Sequence, residues 1–251
     1  MKKLVYLIEF ILIKILFVLF KLIGYRFSSN LGFFIGKTIG PIFRSKKLII
    51  QNLSKANIKN HDDPNKIALN VLGNYGRIFA EYVYLEKFRN NELKKYISIE
   101  GFEYLENLKK NKKRAVFISG HFNNFELMAM EIEKTGIELA TIYRPLNNIF
   151  LNKTMEKIRK ENICRNQIKK GRAGSREIIK NLIKGKSIAL MIDQRVREGE
   201  KVKFFDNLAT TTTIPAQLIK KYNCELVPIY IERNKKNYFK IYVSKPIKVN
   251  K

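Results

Sequence analysis

One stretch of the sequence concentrates groups able to move a proton: Ser119-Gly120-His121-Phe122-Asn123-Asn124-Phe125-Glu126. It follows a short β-rich run, AVFIS (115–119), and leads into FELMAMEIEKTG (125–136), an amphipathic helix that Gly136 ends. The spacing of His121 and Glu126 decides what they can do together. Five residues along one continuous helix turn by about 500°, so the two side chains would point apart. They can meet if His121 sits in the strand-to-helix turn and Glu126 in the first helical turn. A carboxylate on one imidazole nitrogen fixes the tautomer and raises the basicity of the other. Such a dyad can take a proton from a substrate hydroxyl without an enzyme nucleophile. The helix N-terminus beside it favours an oxyanion or a phosphate. By spacing alone, a His five residues before an acid is common by chance, and a turn histidine with a solvated glutamate is the better account.

Alternating elements must hold these groups. Beyond AVFIS and the helix at 125–136, the sequence predicts strands ELATIY (138–143), SIALMID (187–193), ELVPIYIE (225–232) and NYFKIYVS (237–244). Between them it predicts helices over 152–161, over 175–185 with Ser175 as N-cap and Gly185 as stop, and over 213–223. SIALMID is apolar almost throughout, as a strand covered on both faces would be. The fold class expected is α/β: an N-terminal membrane helix, then one domain with a central, mostly parallel or mixed sheet flanked by helices. The boundaries expected are 1–26 for the membrane anchor or interfacial helix and 27–251 for the domain. That domain would be helical over about 27–97 and α/β over about 98–251. Short helices are expected over 28–60, a turn at NHDDPN (60–65) with Pro64 opening a helix, and one or two helices over 65–97. Open sheets of this kind hold ligands and catalytic groups beyond the carboxyl ends of their strands, where His121 would stand.

Residues 4–23, LVYLIEFILIKILFVLFKLI, are long enough to cross a bilayer as a helix, but Glu9, Lys14 and Lys21 interrupt them. Three placements fit: a spanning anchor, a helix in the interface with its lysines snorkelling, and a buried core helix. Lys37, Arg44, Lys46 and Lys47 then favour a cytoplasmic domain. Gly36-Lys37-Thr38 resembles the end of a phosphate-binding loop, but only three residues separate Gly32 from Gly36 and no strand precedes them.

The net charge of +27 points to an anionic partner: nucleic acid, anionic lipid or a phosphorylated substrate. Two cysteines, Cys164 and Cys224, and two histidines, His61 and His121, exclude a disulfide framework and a thiolate or His-rich metal site. Neither metal nor cofactor is expected.

With these residues in view, the block GHFNNFE resembles the HxxxxE block of the lipid A biosynthesis acyltransferases of the lauroyl and myristoyl type, distant relatives of the glycerolipid acyltransferases. Further similar stretches stand in order: NLSKA (52–56), NYGRIFAEY (74–82), YRP (143–145), Arg159, LMIDQ ending at Gln194, KFFDNLATTTTIPAQLIKKYNCELVPIYIER (203–233) and KPI (245–247). The resemblance covers nearly the whole chain. It implies transfer of a fatty acyl chain from an acyl-carrier-protein thioester to a hydroxyl of an anionic glycolipid, a lipid A precursor, at the inner membrane with the catalytic domain on its cytoplasmic side. It implies His121 as general base, Glu126 as its orienting partner, and Asn123, Asn124, Arg144, Arg159, Asp193 and Gln194 as substrate-facing residues. A thioester is already activated, so a base alone suffices. The family continues past the last strand into a helix and an aromatic-His-Arg-Phe tail. The sequence ends at Lys251 and holds no Trp, which sets the expectation of a fragment without that tail.

Other residues have plainer readings. Ser119 lacks a GxSxG elbow and is not expected to be a nucleophile. Arg144 and Arg159 also fit exposed positions, and Asp193 and Gln194 also fit loop-capping roles. Cys164 reads as an ordinary thiol, Cys224 as core, and Phe204-Phe205 as core or lipid-facing packing. Two alternatives to the lipid A reading remain: another lipid acceptor for the same chemistry, and a basic nucleic-acid-binding module. Against the module stand the apolar terminus and the lack of a recognition-helix, RNP or zinc-finger signature.

Overall fold

The strand-forming runs of the sequence come together as a seven-stranded sheet. The computed structural model describes residues 2–56, 63–234 and 236–247, with the backbone alone for Arg172. In chain order its elements are α1 (Lys2–Ile23), α2 (Tyr25–Phe43), α3 (Lys46–Lys55), α4 (Pro64–Glu81), α5 (Leu85–Arg89), β1 (Ile97–Glu100), α6 (Phe102–Lys110), β2 (Ala115–Ser119), α7 (Glu126–Lys134) and β3 (Leu139–Tyr143). They continue with α8 (Ile149–Ile158), β4 (Asn166–Lys169), α9 (Arg172–Ile183), β5 (Ser187–Met191), β6 (Glu200–Phe204), β7 (Asn207–Thr211), α10 (Ile214–Tyr222), β8 (Glu225–Arg233) and β9 (Phe239–Val243). Two units divide the chain. One comprises Met1–Lys14, Leu85–Gln194 and Thr212–Lys251; the other comprises Ile15–Tyr84 and Arg195–Thr211.

The first unit holds the sheet, in the order β1-β9-β8-β2-β5-β3-β4. Every neighbouring pair is parallel except β8 and β9, so the α/β class with a mixed, mostly parallel sheet is established. β2 and β5 lie in its middle. Their runs AVFIS and SIALM are apolar because the sheet is covered: Val116, Ala140 and Ile188 pack with Ile178 and Leu182 of α9 and Leu218 and Ile219 of α10. Each such side chain fully withdrawn from water contributes roughly 1.5–3 kcal/mol. α7 buries Leu127, Met128 and Met130.

The start of α1 belongs to this unit and is tied to α8. Asn148 caps α8 by accepting from the backbone N–H groups of Phe150 and Leu151, and its amide donates to Glu9 at 2.9 Å and to the Tyr6 carbonyl at 2.8 Å. This tie explains an acid inside an apolar run. It also bears on the expected spanning anchor, which finds no support. Among the described residues no helix is long and apolar enough to cross a membrane. α1 has the length, but Glu9, Lys14 and Lys21 recur along it so that no bilayer-long stretch escapes them.

In the second unit, α2 and α4 pack backbone to backbone. A Cβ on Gly76 would stand 2.0 Å from the Gly32 carbonyl oxygen, and one on Gly36 2.5 Å from that of Leu72. The spacing that resembled a phosphate loop is therefore a helix-packing stripe. It also explains why one 19-residue helix replaces part of the short helices expected over 28–60. Asp63 accepts from the Asn65 N–H at the start of α4, with Pro64 as its first residue; the earlier part of the expected turn, 60–62, lies outside the described residues. β6 and β7 form an antiparallel ribbon with Phe204, Phe205 and Leu208 exposed.

Other boundaries shift for visible reasons. The helix expected at 152–161 is α8 followed by a single π turn, Arg159–Ile163, closed by the Cys164 N–H on the Arg159 carbonyl. Ser175 is not the cap of α9, which begins at Arg172. Gly174 lets that first turn touch β4, since a Cβ there would lie 2.1 Å from the Lys169 carbonyl oxygen. Gly185 does follow the helix, at φ 87°.

Candidate active site

β2 and β5 are adjacent and parallel, with Ser119 opposite Met191. Ile192 N–H continues the ladder to the Ser119 carbonyl at 2.9 Å. His121 and Asp193 stand equally far beyond that last register pair, so the two strand ends deliver them to one place. His121 Nδ1 meets Asp193 Oδ1 at 2.7 Å, and the His121 backbone N–H donates to Asp193 Oδ2 at 2.8 Å. A carboxylate that grips ring and backbone together fixes the ring's orientation. The Phe125 ring adds an edge contact, its centroid 4.8 Å from that of the imidazole.

The turn that carries His121 needs its small and polar residues. A Cβ on Gly120 would stand 2.9 Å from the Phe122 ring and 3.3 Å from Asp193 Cβ, so glycine permits the approach. Phe122 N–H reaches back to the Gly120 carbonyl at 2.8 Å. Asn123 takes a left-handed conformation at φ 42°, and its side-chain amide donates to the Ile231 carbonyl of β8 at 3.1 Å. Asn124 is buried, and its carbonyl accepts from the Leu127 N–H, opening α7.

Glu126 is the first residue of α7 and only 8% exposed. Its Oε1 receives Arg159 Nε at 3.1 Å and Nη2 at 3.0 Å. Arg159 opens the π turn and lies over the Tyr143 ring, 5.9 Å from its centroid. Tyr143 in turn donates to Glu156 at 2.6 Å. Burial pushes the Tyr143 phenol up, and the Glu156 hydrogen bond adds to that; the same bond holds the Glu156 carboxyl below its usual range. Arg144 and Gln194 are exposed past the ends of β3 and β5.

The carboxylate on the His121 ring nitrogen is thus Asp193, in the place the family resemblance gives to Glu126, while Glu126 holds Arg159. Burial pushes the Asp193 carboxyl up, but hydrogen bonds from the His121 ring and backbone N–H and the charge of the ring outweigh it, so the group sits below its ordinary range. The signal for Asp193 was present in the sequence: it ends the apolar run SIALMID, as His121 follows AVFIS. What was missing was the adjacency of the two strands. Among the described residues no group of three or more His, Cys, Asp or Glu side chains gathers as a metal ion would require.

Comparison with known proteins adds the identity of the whole. The family model for bacterial lipid A biosynthesis acyltransferases matches residues 1–251. The chain belongs to that family. No curated protein sequence matches it. As a lipid A biosynthesis acyltransferase it is an enzyme that transfers acyl groups, and the strand-end pair lies where open parallel sheets carry their active sites.

Proposed function

We propose that this acyltransferase moves a fatty acyl chain from an acyl-carrier-protein thioester to a hydroxyl of a lipid A precursor, with His121 as general base. The observation that carries this reading is the 2.7 Å contact between His121 Nδ1 and Asp193, which leaves Nε2 for substrate. Nε2 takes the hydroxyl proton as the oxygen forms its bond to the thioester carbonyl carbon. Collapse of the tetrahedral intermediate breaks the C–S bond, and the leaving thiolate takes the proton back from the imidazolium. Asp193, kept ionised, stabilises that imidazolium while it lasts. In this reading Asp193 takes the orienting role, and Glu126 acts through Arg159, fixing its guanidinium beside the turn. Exposed Arg144 and Gln194 serve the acceptor, Arg144 at a phosphate, while Asn123 and Asn124 shape the turn that presents His121.

The acceptor requires an enzyme at a lipid surface. α1 exposes Leu4, Ile8, Leu12, Ile15, Val18, Leu19 and Leu22 between lysines, which supports a helix lying in the interface rather than crossing it. The charge of +27 favours the anionic, cytoplasmic leaflet of the inner membrane. The test is acyl transfer by the purified chain, with acyl-carrier protein as donor and a lipid A precursor as acceptor. His121→Ala should slow transfer by about 10²–10⁴-fold, and the product mass should rise by one acyl chain. Transfer at the wild-type rate by that variant would end the proposed mechanism.

A further inference from the structure

α1 does not account for the surface that follows it. From Phe10 to Ala56 the sequence has no Asp or Glu and eight Lys or Arg. α2 turns its glycine stripe toward α4, so geometry sends the opposite stripe outward. At about 100° per residue, Phe27, Leu31, Phe34 and Ile42 fall within roughly a quarter-turn of one another, and Gly36 lies opposite them. Phe27 is 75% exposed, Phe34 63% and Ile42 80%. The helix then ends on Phe43, 83% exposed, followed at once by Arg44, Lys46 and Lys47 and by exposed Leu48 on α3. Large aromatic and aliphatic side chains facing water beside a purely cationic corner mark a binding surface.

We infer that the outer face of α2 and the α2–α3 corner form a second membrane contact, inserting into one leaflet of an anionic bilayer. Phe27, Phe34, Ile42 and Phe43 reach the acyl boundary, and Arg44, Lys46 and Lys47 lie at the phosphate level. The charge selects this occupant over a second copy of the chain, because two such cationic faces repel while an anionic headgroup layer attracts. The inference rests on the membrane reading of the enzyme and adds a specific docking element to it.

The chain has no Trp, so Phe43→Trp supplies a single indole at the corner, excited apart from the tyrosines at the red edge. The 251-residue variant is mixed with vesicles of phosphatidylglycerol and phosphatidylcholine, with brominated lipid as depth quencher. Its emission should shift to the blue and be quenched, and raising salt should weaken both. Ile42→Ser with Phe43→Ser should lower partition into these vesicles about tenfold or more, while transfer to a micelle-dissolved acceptor persists. If the chain sediments with vesicles but the new indole stays in water, the corner is not a docking element and the membrane reading stands on α1 alone. If nothing sediments, both fail. A blue shift without lipid that grows with protein concentration would show a second copy on this face and overturn the inference.

Discussion

A hydroxyl loses its proton to a base whose lone pair is aimed and whose new charge has a partner nearby. His121 has both through Asp193, and Asp193 has its own reason to stay ionised in the two hydrogen bonds it receives from His121. Glu126 works differently. It is buried against Arg159, and both donors converge on one oxygen. Glu126→Ala would take this carboxylate away from a largely buried guanidinium, at a cost of about 3 kcal/mol of stability. A denaturant melt should show that loss, and Glu126→Gln, which keeps the shape and an acceptor oxygen, should lose less. The two carboxylates then separate experimentally. Asp193→Asn should leave the melt near wild type at neutral pH and affect turnover, whereas Glu126→Ala should affect both.

At the scale of elements, much of the α/β scaffold was legible. AVFIS and SIALMID read as strands because a covered parallel strand is apolar on both sides, and β2 and β5 occupy the centre of the sheet. The turn after AVFIS was legible from Gly120, and the helix after it from its periodicity. β1 and β4 were not read, because four-residue segments such as ISIE and NQIK carry too little pattern to stand out. The partner of His121 was not legible for another reason. It depends on which strand lies next to β2, and strand order is a non-local fact that no local pattern contains. Spacing along the chain was enough to set aside a phosphate loop at the glycines of α2, but their role in packing shows only across to α4. Gly76→Val tests the packing reading. With the Gly32 carbonyl 2.0 Å from the added Cβ, the helices must separate, and the thermal midpoint should fall by several degrees, about 1–3 kcal/mol or more.

Across the whole molecule, ionisation ties stability to pH. Asp193 is depressed in the folded state, so the stability it contributes is fully present above the unfolded carboxyl value near ~4 and is lost as pH falls through the lower folded value. Because more than a third of the Asp193 side chain meets water, that contribution is small, and the slight difference between wild type and Asp193→Asn should hold from neutral pH down to about pH 5 and vanish below it. The thiols offer a second whole-molecule readout. Burial pushes Cys164 up to about 11, and Cys224 upward as well. At pH 8 about one Cys164 in a thousand is a thiolate, and that one is enclosed. A disulfide reagent should therefore modify Cys164 at the rate of unfolding, and rapid modification of the native protein would contradict the burial.

The central claim is that Asp193 is the carboxylate through which His121 becomes a base. Its most direct test is the turnover of Asp193→Asn with acyl-carrier-protein thioester and lipid A precursor at neutral pH, in protein whose melt matches wild type. The account predicts a fall in kcat of about 10²–10⁴-fold with KM little changed, because the substituted amide neither fixes the ring's tautomer nor balances its charge. Turnover by Asp193→Asn at the wild-type rate would contradict it.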